Sequence, residues 1–380
     1  MATYTAPGRI AQQAAAEPRE RAASEQPTQA ARGAAPDEKR AKKTLHRRAA
    51  PDASQRLRRA VQVAFLLLNA WIGVQFYLFV RHFETAGESW RVARPPGVEG
   101  WLPIGALMNL KAWVLTGELP PVHAAGVFLL VAFLAVSFLF RKAFCGWLCP
   151  VGTISEGLWK LGRRLFRRNF ALPRWADIPL RALKYVLLGL FVYAIANMSV
   201  GAIRMFLSGP YGLIADVKML NFFRHMGLTA AVVIGVLVVL SVFVQNFWCR
   251  YLCPYGALMG LPALLSPLRI RRNPEACIDC AKCAKACPAL LPVDRLITVR
   301  SAECMACLEC VAVCPAENAL QLAVLVPKRR RVPAWALAAG IAVVFLGVVL
   351  AARLSGHWHT DIPAWIYFDL IPRAGEFGHP

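Results

Sequence analysis

Cysteine is missing from the first 144 and the last 66 residues of this 380-residue chain. All twelve cysteines lie between residues 145 and 314, at tight and repeated spacings. A secreted disulfide scaffold is usually short and spreads its cysteines more evenly along the chain. The distribution therefore argues against a disulfide scaffold and favours metal ligation.

Charged residues are also scarce. Only 17% of the residues are charged, whereas 57% are hydrophobic, and this composition indicates a membrane protein rather than a soluble one. The 22 acidic residues are half as many as the 44 Lys and Arg residues, which gives a net charge of +22. In a soluble protein such a charge would suggest nucleic-acid binding, so it must first be compared with membrane topology.

Several enzyme motifs are also absent from the sequence. There is no Cys-x-x-Cys-His for haem attachment, and no Rossmann, P-loop or hydrolase motif. The chain is therefore expected to be a component of a larger reaction system more than a stand-alone enzyme.

Five segments are long and apolar enough to cross a bilayer, which takes roughly 17–25 residues. We therefore predict an α-helical polytopic membrane protein of about five transmembrane helices, with an internal repeat and an inserted α+β module. The predicted spans are about 61–80, 124–140, 180–198, 228–247 and 335–352.

Lys and Arg alternate between the segments that connect these spans. The segments 1–60, 141–184 and 248–333 hold 35 of the 44. By the positive-inside rule these three are cytoplasmic, which places the N-terminus inside and the C-terminus outside a bacterial inner membrane. The basic charge is thereby explained by lipid and topology, and we expect no nucleic-acid partner.

A motif of the form Cys-x-x-x-Cys-Pro ends the second and the fourth predicted spans: FCGWLCPVG, 144–152, and WCRYLCPYG, 248–256. An offset of 104 residues superposes the two motifs and also aligns Gly105 with Gly209. Repeated span units tend to pack about a pseudo-symmetry axis with shared sites at their interface. We predict a candidate third redox or metal site, as a cluster or a dithiol centre, formed by Cys145, Cys149, Cys249 and Cys253; the alternative is two pairs of small buried residues.

Twelve residues, CIDCAKCAKACP at 277–288, are followed by a similar run, CMACLECVAVCP at 304–315. Both read Cys-x2-Cys-x2-Cys-x3-Cys-Pro, the ligand pattern of a bacterial ferredoxin with two [4Fe–4S] clusters, in which the fourth cysteine ligates the other cluster. Zinc sites, with four ligands in a tetrahedron, fit this pattern poorly. The predicted ligands are Cys277, Cys280, Cys283 and Cys314 for cluster 1, and Cys304, Cys307, Cys310 and Cys287 for cluster 2.

The predicted domains follow from these patterns. They are a disordered basic cytoplasmic tail (1–55), a membrane domain (61–265) with two repeats (about 101–160 and 205–264), a ferredoxin domain (270–325), a last transmembrane helix (335–352) and an outer tail (353–380). Two short strands are expected in the ferredoxin domain, LITV at 296–299 and ALQLAVLV at 319–326.

The paired Cys-x-x-x-Cys-Pro motifs followed by the two-cluster insert resemble the membrane polyferredoxins. This family includes the NapH and MauN types and is related to the membrane cores of NosR and CcoG. The resemblance covers about residues 101–325 and implies electron transfer through [4Fe–4S] clusters, with a quinol as donor and an unidentified redox protein as partner. The chain lacks the flavin domain of the NosR type and the sizeable periplasmic domain of the CcoG type.

Histidines near the outer ends of the predicted spans are lesser candidates. His82, His123 and His225, with Glu84, Glu118 and Asp216 nearby, could accept protons from an oxidised quinol, or be ordinary interfacial residues. His357, His359 and Asp361 could bind a metal such as copper, or form part of an interfacial belt with Trp358 and Trp365.

Three functions are consistent with these patterns. The first is electron transfer between a membrane donor and a redox partner. The second is an assembly or metallo-reductase factor that uses the four membrane thiols, and the third is a redox-sensing regulator with labile clusters. Iron content and reduction potential separate the three.

Overall fold

The computed structural model describes residues 45–48, 52–167, 170–324 and 330–378, apart from the side chain of Arg174. Most of the predicted tail 1–55 lies outside the described residues. The helices of the first half are α1 (Ser54–Glu84), a 3₁₀ helix (Pro96–Trp101), α2 (Pro103–Thr116), α3 (Ala124–Leu139), a π-helical turn (Phe144–Leu148) and α4 (Pro150–Phe166).

The second half continues with α5 (Arg174–Asn197), α6 (Val200–Ser208), α7 (Pro210–Leu213), α8 (Ala215–Arg224), α9 (Leu228–Phe243), a second π-helical turn (Trp248–Leu252) and α10 (Pro254–Ala263). The cysteine-rich segment, residues 268–324, holds strand β1 (Leu268–Arg272), α11 (Lys282–Ala286), α12 (Glu309–Ala312) and β2 (Leu320–Val324). The chain then forms α13 (Ala334–Leu354) and α14 (Ala364–Leu370).

Helices dominate, and several have the length and composition of membrane spans, which confirms the predicted helical membrane class. Within the described residues, α1, α5 and α13 are long and apolar enough to cross a bilayer. A fourth candidate is the pair α8 and α9, which is bent by 80° at a short break. The described residues therefore contain three or four candidate spans, whereas the sequence predicted five.

The predicted span 124–140 accounts for the difference. Its helix α3 has 16 residues, about 24 Å at 1.5 Å per residue, which is short for a bilayer. It begins at His123 and ends just before Arg141, both of which have left-handed backbone conformations. Most of α3 is buried among protein segments, so its apolar sequence serves the core of the molecule rather than contact with lipid.

The predicted repeat is visible in the helices. α3 and α9 have 16 residues each and start 104 residues apart, and the two π-helical turns follow at the same offset. Their surroundings differ, because α3 is enclosed whereas Ser241 is the single buried residue of α9. The repeat therefore conserves the local geometry at the cysteines and gives its two helices different environments.

The two strands of the cysteine-rich segment pair antiparallel, with Leu268 opposite Val324 and Ile270 opposite Leu322. The strand predicted within 319–326 is confirmed as β2, up to the last described residue, 324. The strand predicted at 296–299 is wrong, since this stretch makes one bridge from Thr298 to Arg271 and leaves β1 as the partner of β2. The sequence before the first cysteine run supplies the strand that we expected after it.

A buried ionic network ties α1 to α4 and to α12. Arg58 is 1% exposed and donates to both carboxylate oxygens of Glu156, at 2.5 and 2.8 Å. It also donates to Glu309 at 3.1 Å and to the carbonyl of Gly146 at 3.1 Å. Lys160 bridges Glu156 and Glu309, at 2.5 and 2.8 Å. Three segments far apart in the chain are held by one guanidinium.

Replacing Arg58→Gln is expected to destabilise the fold by about 3 kcal/mol, because two partly buried carboxylates lose the more deeply buried of the two cations that they share. The measurement is unfolding of the purified protein in detergent, followed by circular dichroism. Arg59→Gln is the matched control, since the neighbouring Arg59 makes one exposed hydrogen bond, to the carbonyl of Gln55. Equal stability of the two variants would contradict the importance of the network.

Candidate functional site

Each Cys-x-x-x-Cys-Pro motif folds as a π-helical turn that runs directly into the start of a helix. The second cysteine has an extended backbone, with φ −60° and ψ 119° at Cys149 and φ −71° and ψ 104° at Cys253. The following proline, at the first helical position, fits there because it has no N–H to donate. The sulfur of Cys149 accepts from the Gly152 N–H at 3.4 Å, and that of Cys253 from the Gly256 N–H at 3.2 Å.

Each motif has a glycine two residues after its proline, and in the first motif close packing requires that glycine. A Cβ atom on Gly152 would lie 2.5 Å from the carbonyl oxygen of Cys145, and no side chain fits there. At Gly256 the corresponding distance is 3.6 Å. The sulfurs of Cys149 and Cys253 thus sit at helix N-termini, where a thiolate is stabilised.

All four thiols of the two motifs line one cavity of about 700 Å³. Their charges also interact, since burial first and then charge on Cys145, Cys249 and Cys253 raise the pKa of Cys149. The structure therefore brings the two motifs together, as the repeat predicted.

The basic residues next to these thiols in the sequence do not all act on them. Burial raises the pKa of Cys145 and of Cys249 to about 12, and Lys142 lowers both in part. Arg141 and Arg250 are engaged elsewhere: Arg141 donates to the carbonyl of Ser301 and Arg250 to the carboxylate of Asp177. A bound positive metal centre would favour the deprotonated form of all four thiols.

A second cavity is lined by Cys287, Cys304, Cys307 and Cys310, the four predicted ligands of cluster 2. Apolar side chains, among them Ile270, Val293 and Leu308, form its walls. Burial raises the pKa of Cys287 to about 11 and that of Cys307 to about 12. Such an apolar chamber with four thiols suits a cofactor that brings its own positive charge.

The other four cysteines lie nearer the surface. Cys280 is exposed, while Cys277, Cys283 and Cys314 are half-buried. Burial raises the pKa of Cys314, and charges on Cys280 and Cys277 raise it further. The pKa of Cys283 is raised by burial and by the charges of Asp294, Cys314 and Cys277. These charge interactions link cysteines of the set that the ferredoxin spacing predicts for cluster 1, and the assignment of that set stays a prediction.

None of the twelve cysteines, all of which lie in the described ranges, forms a disulfide. Within those ranges, no three His, Cys, Asp or Glu side chains are close enough to hold a single metal ion. In a cubane cluster each thiolate ligates a different iron, so its four ligands stand further apart than those of one ion. Four thiols within apolar walls, as in the second cavity, suit a cluster of this kind.

The two buried cavities are neighbours. Pro288, Ala289, Glu303 and Met305 line both of them. A Cβ atom on Gly146, between Cys145 and Cys149, would lie 2.7 Å from the carbonyl oxygen of Met305. The indole of Trp147 donates to the carbonyl of Ala306 at 3.0 Å. The first membrane motif therefore lies directly on the loop that carries Cys304 and Cys307.

Polar residues that the sequence analysis missed surround this junction. Glu303 accepts from Lys184 at 2.6 Å and from the Tyr185 hydroxyl at 3.1 Å, and Lys142 lies 3.4 Å away. Lys142, Lys184 and Tyr185, which interact with Glu303 here, lower its pKa to about 2 despite burial, so that it remains ionised. The signal that could have found this group is the position of Lys142 and Glu303, just before Cys145 and Cys304.

The histidine candidates separate into different places. His123 and Asp216 come together in a buried cluster with Arg94 and Glu99, which the sequence analysis did not identify. Glu84 instead pairs with Arg224, and Glu118 pairs with Arg204. The remaining candidates, namely His82, His225, His357, His359 and Asp361, are in no metal-binding group found among the described residues.

Family comparisons agree with the two kinds of cysteine site. The 4Fe–4S binding domain family matches residues 122–169 and 226–273, which contain the two membrane motifs. The 4Fe–4S dicluster domain family matches residues 269–315. The first match is again repeated at an offset of 104 residues.

Curated relatives point the same way. The protein YccM of Escherichia coli (strain K12), named for a proposed role in electron transport, is 48% identical over 85% of this chain and 91% of its own length. The methylamine utilization ferredoxin-type protein MauN of Methylorubrum extorquens is 28% identical over 50% of this chain and 61% of its own. The ferredoxin-type protein NapH of Escherichia coli (strain K12) is 27% identical over 48% and 59%. No solved structure matches the chain.

The fold, the cysteine sites and these relatives agree on the type of protein. The chain carries [4Fe–4S] clusters, is located in a membrane and takes part in electron transport. It belongs to the membrane polyferredoxin-like 4Fe–4S family that includes YccM.

Proposed function

We propose that the protein transfers electrons from a quinol in the membrane to a redox partner through three [4Fe–4S] clusters. One cluster would be held by Cys145, Cys149, Cys249 and Cys253, and two by the cysteine-rich segment with the ligands predicted from its spacing. The observation that carries the proposal is the pair of neighbouring cavities, each lined by four thiols and sharing Pro288, Ala289, Glu303 and Met305.

The clusters supply one-electron acceptors when they are bound. The fold of the chain would set the order in which electrons reach the clusters. Gly146 and Trp147 hold the membrane motif against the loop of Cys304 and Cys307, and Gln245 donates to the carbonyl of Cys287 at 3.3 Å. Cluster 2 would thus stand between the membrane site and cluster 1, and the exposed Cys280 offers an exit to a redox partner.

The apolar part of the large cavity fits a quinol ring. Phe65, Ile72, Phe133 and Phe345 contribute to its walls from α1, α3 and α13. Leu68, Trp71 and Leu346 also line it and are largely exposed on the surfaces of α1 and α13, as a lateral entrance from the bilayer requires.

Tyr255 is placed to bind the quinol next to the four thiols. It lines the cavity and packs edge-to-face on Phe144, with ring centroids 5.8 Å apart. Burial and the charges of Cys145 and Cys149 raise its pKa, which keeps the hydroxyl protonated as a hydrogen-bond donor. The repeat has Val151 at the equivalent position, so one side of an otherwise symmetric thiol site carries this donor.

The purified protein is expected to hold about twelve iron atoms, from the four irons of each cubane. Replacing both Cys149→Ser and Cys253→Ser should lower the content to about eight and abolish reduction by quinol, while dithionite still reduces the remaining clusters. The measurements are iron analysis and low-temperature EPR after anaerobic purification.

Cys280→Ser is the matched control for that double variant. It should lose cluster 1 and leave quinol reduction of the membrane site intact. About eight irons in the unaltered protein would instead favour a dithiol site, and with it the assembly-factor or metallo-reductase function. Unchanged iron content and electron transfer in the double variant would make the paired motifs structural.

Lys142 carries a buried positive charge beside the four-thiol site. Its replacement by Gln is expected to lower the reduction potential of that site on the order of 60 mV, equivalent to about tenfold in a one-electron equilibrium. The potential is measured by EPR-monitored redox titration. Lys160→Gln, which removes a charge from the network at Glu156 and Glu309, is the control and should leave that potential unchanged.

We infer an orientation with the N-terminus and the cysteine-rich segment in the cytoplasm, from the 35 of 44 Lys and Arg residues in the predicted inner segments, which requires that the enclosed helix α3 also crosses the membrane. A reporter enzyme fused after Asp361 should then be active only outside the inner membrane. A matched fusion after Ser301 should be active only inside it. The reverse pattern would overturn the orientation.

A further inference from the structure

A buried ionic cluster lies at the end of the molecule opposite to the cysteine-rich segment. Arg94 is its centre and donates to Glu99 at 2.7 Å and to Asp216 at 2.7 and 2.9 Å. Its guanidinium also lies 3.2 Å from Nδ1 of His123. The side chains of Glu99, His123 and Asp216 are 0 to 3% exposed. Nearby hydrophobic residues of α1 towards Glu84 and of α14 enclose this region.

Hydrogen bonds fix the tautomer of His123. Its Nε2 lies 2.8 Å from the carbonyl oxygen of Gly212, which can only accept, so Nε2 carries the hydrogen. The other nitrogen, Nδ1, faces the Arg94 guanidinium at 3.2 Å and the Glu99 carboxylate at 3.6 Å. Nδ1 is therefore the atom that gains or loses a proton.

The charges of the cluster leave room for one proton. With neutral His123, one guanidinium faces two carboxylates, a net charge of −1 in a buried place. A proton on Nδ1 brings the net charge to zero. The pKa of His123 is raised by Glu99 and Asp216 against burial and Arg94, and that of Glu99 is lowered to about 2, so a proton that enters the cluster resides on the imidazole rather than on Glu99.

The cluster is adjacent to the cavity proposed for quinol. The 3₁₀ helix contributes Pro96, Gly97, Gly100 and Trp101 to the cavity wall and Glu99 to the cluster. The segment after α13 does the same, because Trp358 lines the cavity and the Thr360 hydroxyl donates to Glu99 at 2.7 Å. Two separate segments thus have one side on the cavity and the other on the cluster.

One buried polar atom at the cluster has no partner among the described residues. The hydroxyl oxygen of Tyr367, a residue 4% exposed, makes no hydrogen bond. The charges of Arg94, Asp216 and Glu99 all act on this phenol. A buried hydroxyl without a partner is costly, and a bound water molecule or hydronium would satisfy it.

We propose that His123, held by Arg94, Glu99 and Asp216, is the acceptor of a proton released when a quinol is oxidised in the cavity. This inference rests on the proposed function. Oxidation of one quinol breaks two O–H bonds and yields a quinone, two electrons and two protons. The two electrons would go one each to two [4Fe–4S] clusters held by the cysteines, one proton would form the Nδ1–H bond of His123, and the second would leave to water.

His123 would pass its proton on to the aqueous side at this end of the molecule, and a water molecule bound at the unpartnered Tyr367 hydroxyl would connect the two. Protons and electrons therefore leave the quinol in opposite directions. With the orientation inferred above, the protons appear outside the cytoplasm, and electron transfer through the protein is linked to charge separation across the membrane.

The test compares His123→Gln with Thr360→Val in the complete, cluster-loaded protein. A glutamine amide can donate to Gly212 and accept from Arg94, but it cannot titrate. Thr360→Val removes the hydrogen bond that its hydroxyl donates to Glu99 and the one that it accepts from the backbone N–H of His123, and keeps the imidazole. Cluster reduction by a soluble ubiquinol or menaquinol analogue is followed by stopped-flow absorbance between about pH 5.5 and pH 9, with dithionite as a reductant that needs no proton acceptor.

The unaltered protein should react faster as pH rises through the pKa of His123, because the neutral imidazole is the acceptor. His123→Gln should be slower by about 100-fold and lose this inflection, with dithionite reduction unchanged. Thr360→Val should keep the inflection. Nitrogen-15 NMR of the histidines should show that Nδ1 of His123 titrates while Nε2 stays protonated.

Two other outcomes overturn different parts of the argument. If the quinol analogues reduce the unaltered protein and His123→Gln has the same rate and pH profile, the proton acceptor is wrong and the proposed function stands. If they do not reduce the unaltered protein at all, the proposed donor is wrong and this inference fails with it.

Discussion

The contact between Gly146 and Met305 determines how the membrane thiols lie relative to the cysteine-rich segment. A backbone without a side chain at residue 146 allows the first membrane motif to lie against the carbonyl of Met305, next to Cys304. Arg58 and Gln62 of α1 both donate to the Gly146 carbonyl, so the same peptide is held from the membrane side. A larger residue at 146 would separate the membrane thiols from the cysteine-rich segment.

Much of the site could be predicted from local patterns. The spacing of eight cysteines indicated a ferredoxin, because ligands within a few residues are constrained by the chain itself. The 104-residue repeat indicated that Cys145, Cys149, Cys249 and Cys253 would meet, and the cavity shows this. The ligand sets themselves remain predictions, because the family matches identify 4Fe–4S domains and do not give the number of clusters.

Long-range polar contacts could not be predicted in this way. Arg94 and Asp216 are 122 residues apart, and Arg58 and Glu309 are 251 apart, with no periodicity that links them. Apolar composition was also an incomplete guide. The sequence of α3 has the hydropathy of a span, but in the fold it is a short, enclosed helix against which α2, α10 and α13 pack. The hydropathy of a segment indicates that its side chains avoid water, but it does not show whether lipid or protein surrounds them.

The π-helical turns have a consequence for insertions and deletions. Each turn closes a wider ring than an α-helical turn, with the amide of Cys149 bonded to the carbonyl of Phe144, and the amide of Cys253 to that of Trp248. Deleting one residue would replace this wide ring with the tighter ring of an ordinary turn, because its closing hydrogen bond would span one residue fewer. The second sulfur of that motif would then be displaced relative to the first while the composition stayed almost the same. The length of the interval between the cysteines is therefore as restrictive as their identity, and the three residues between them can change in kind far more readily than in number, Gly146 excepted.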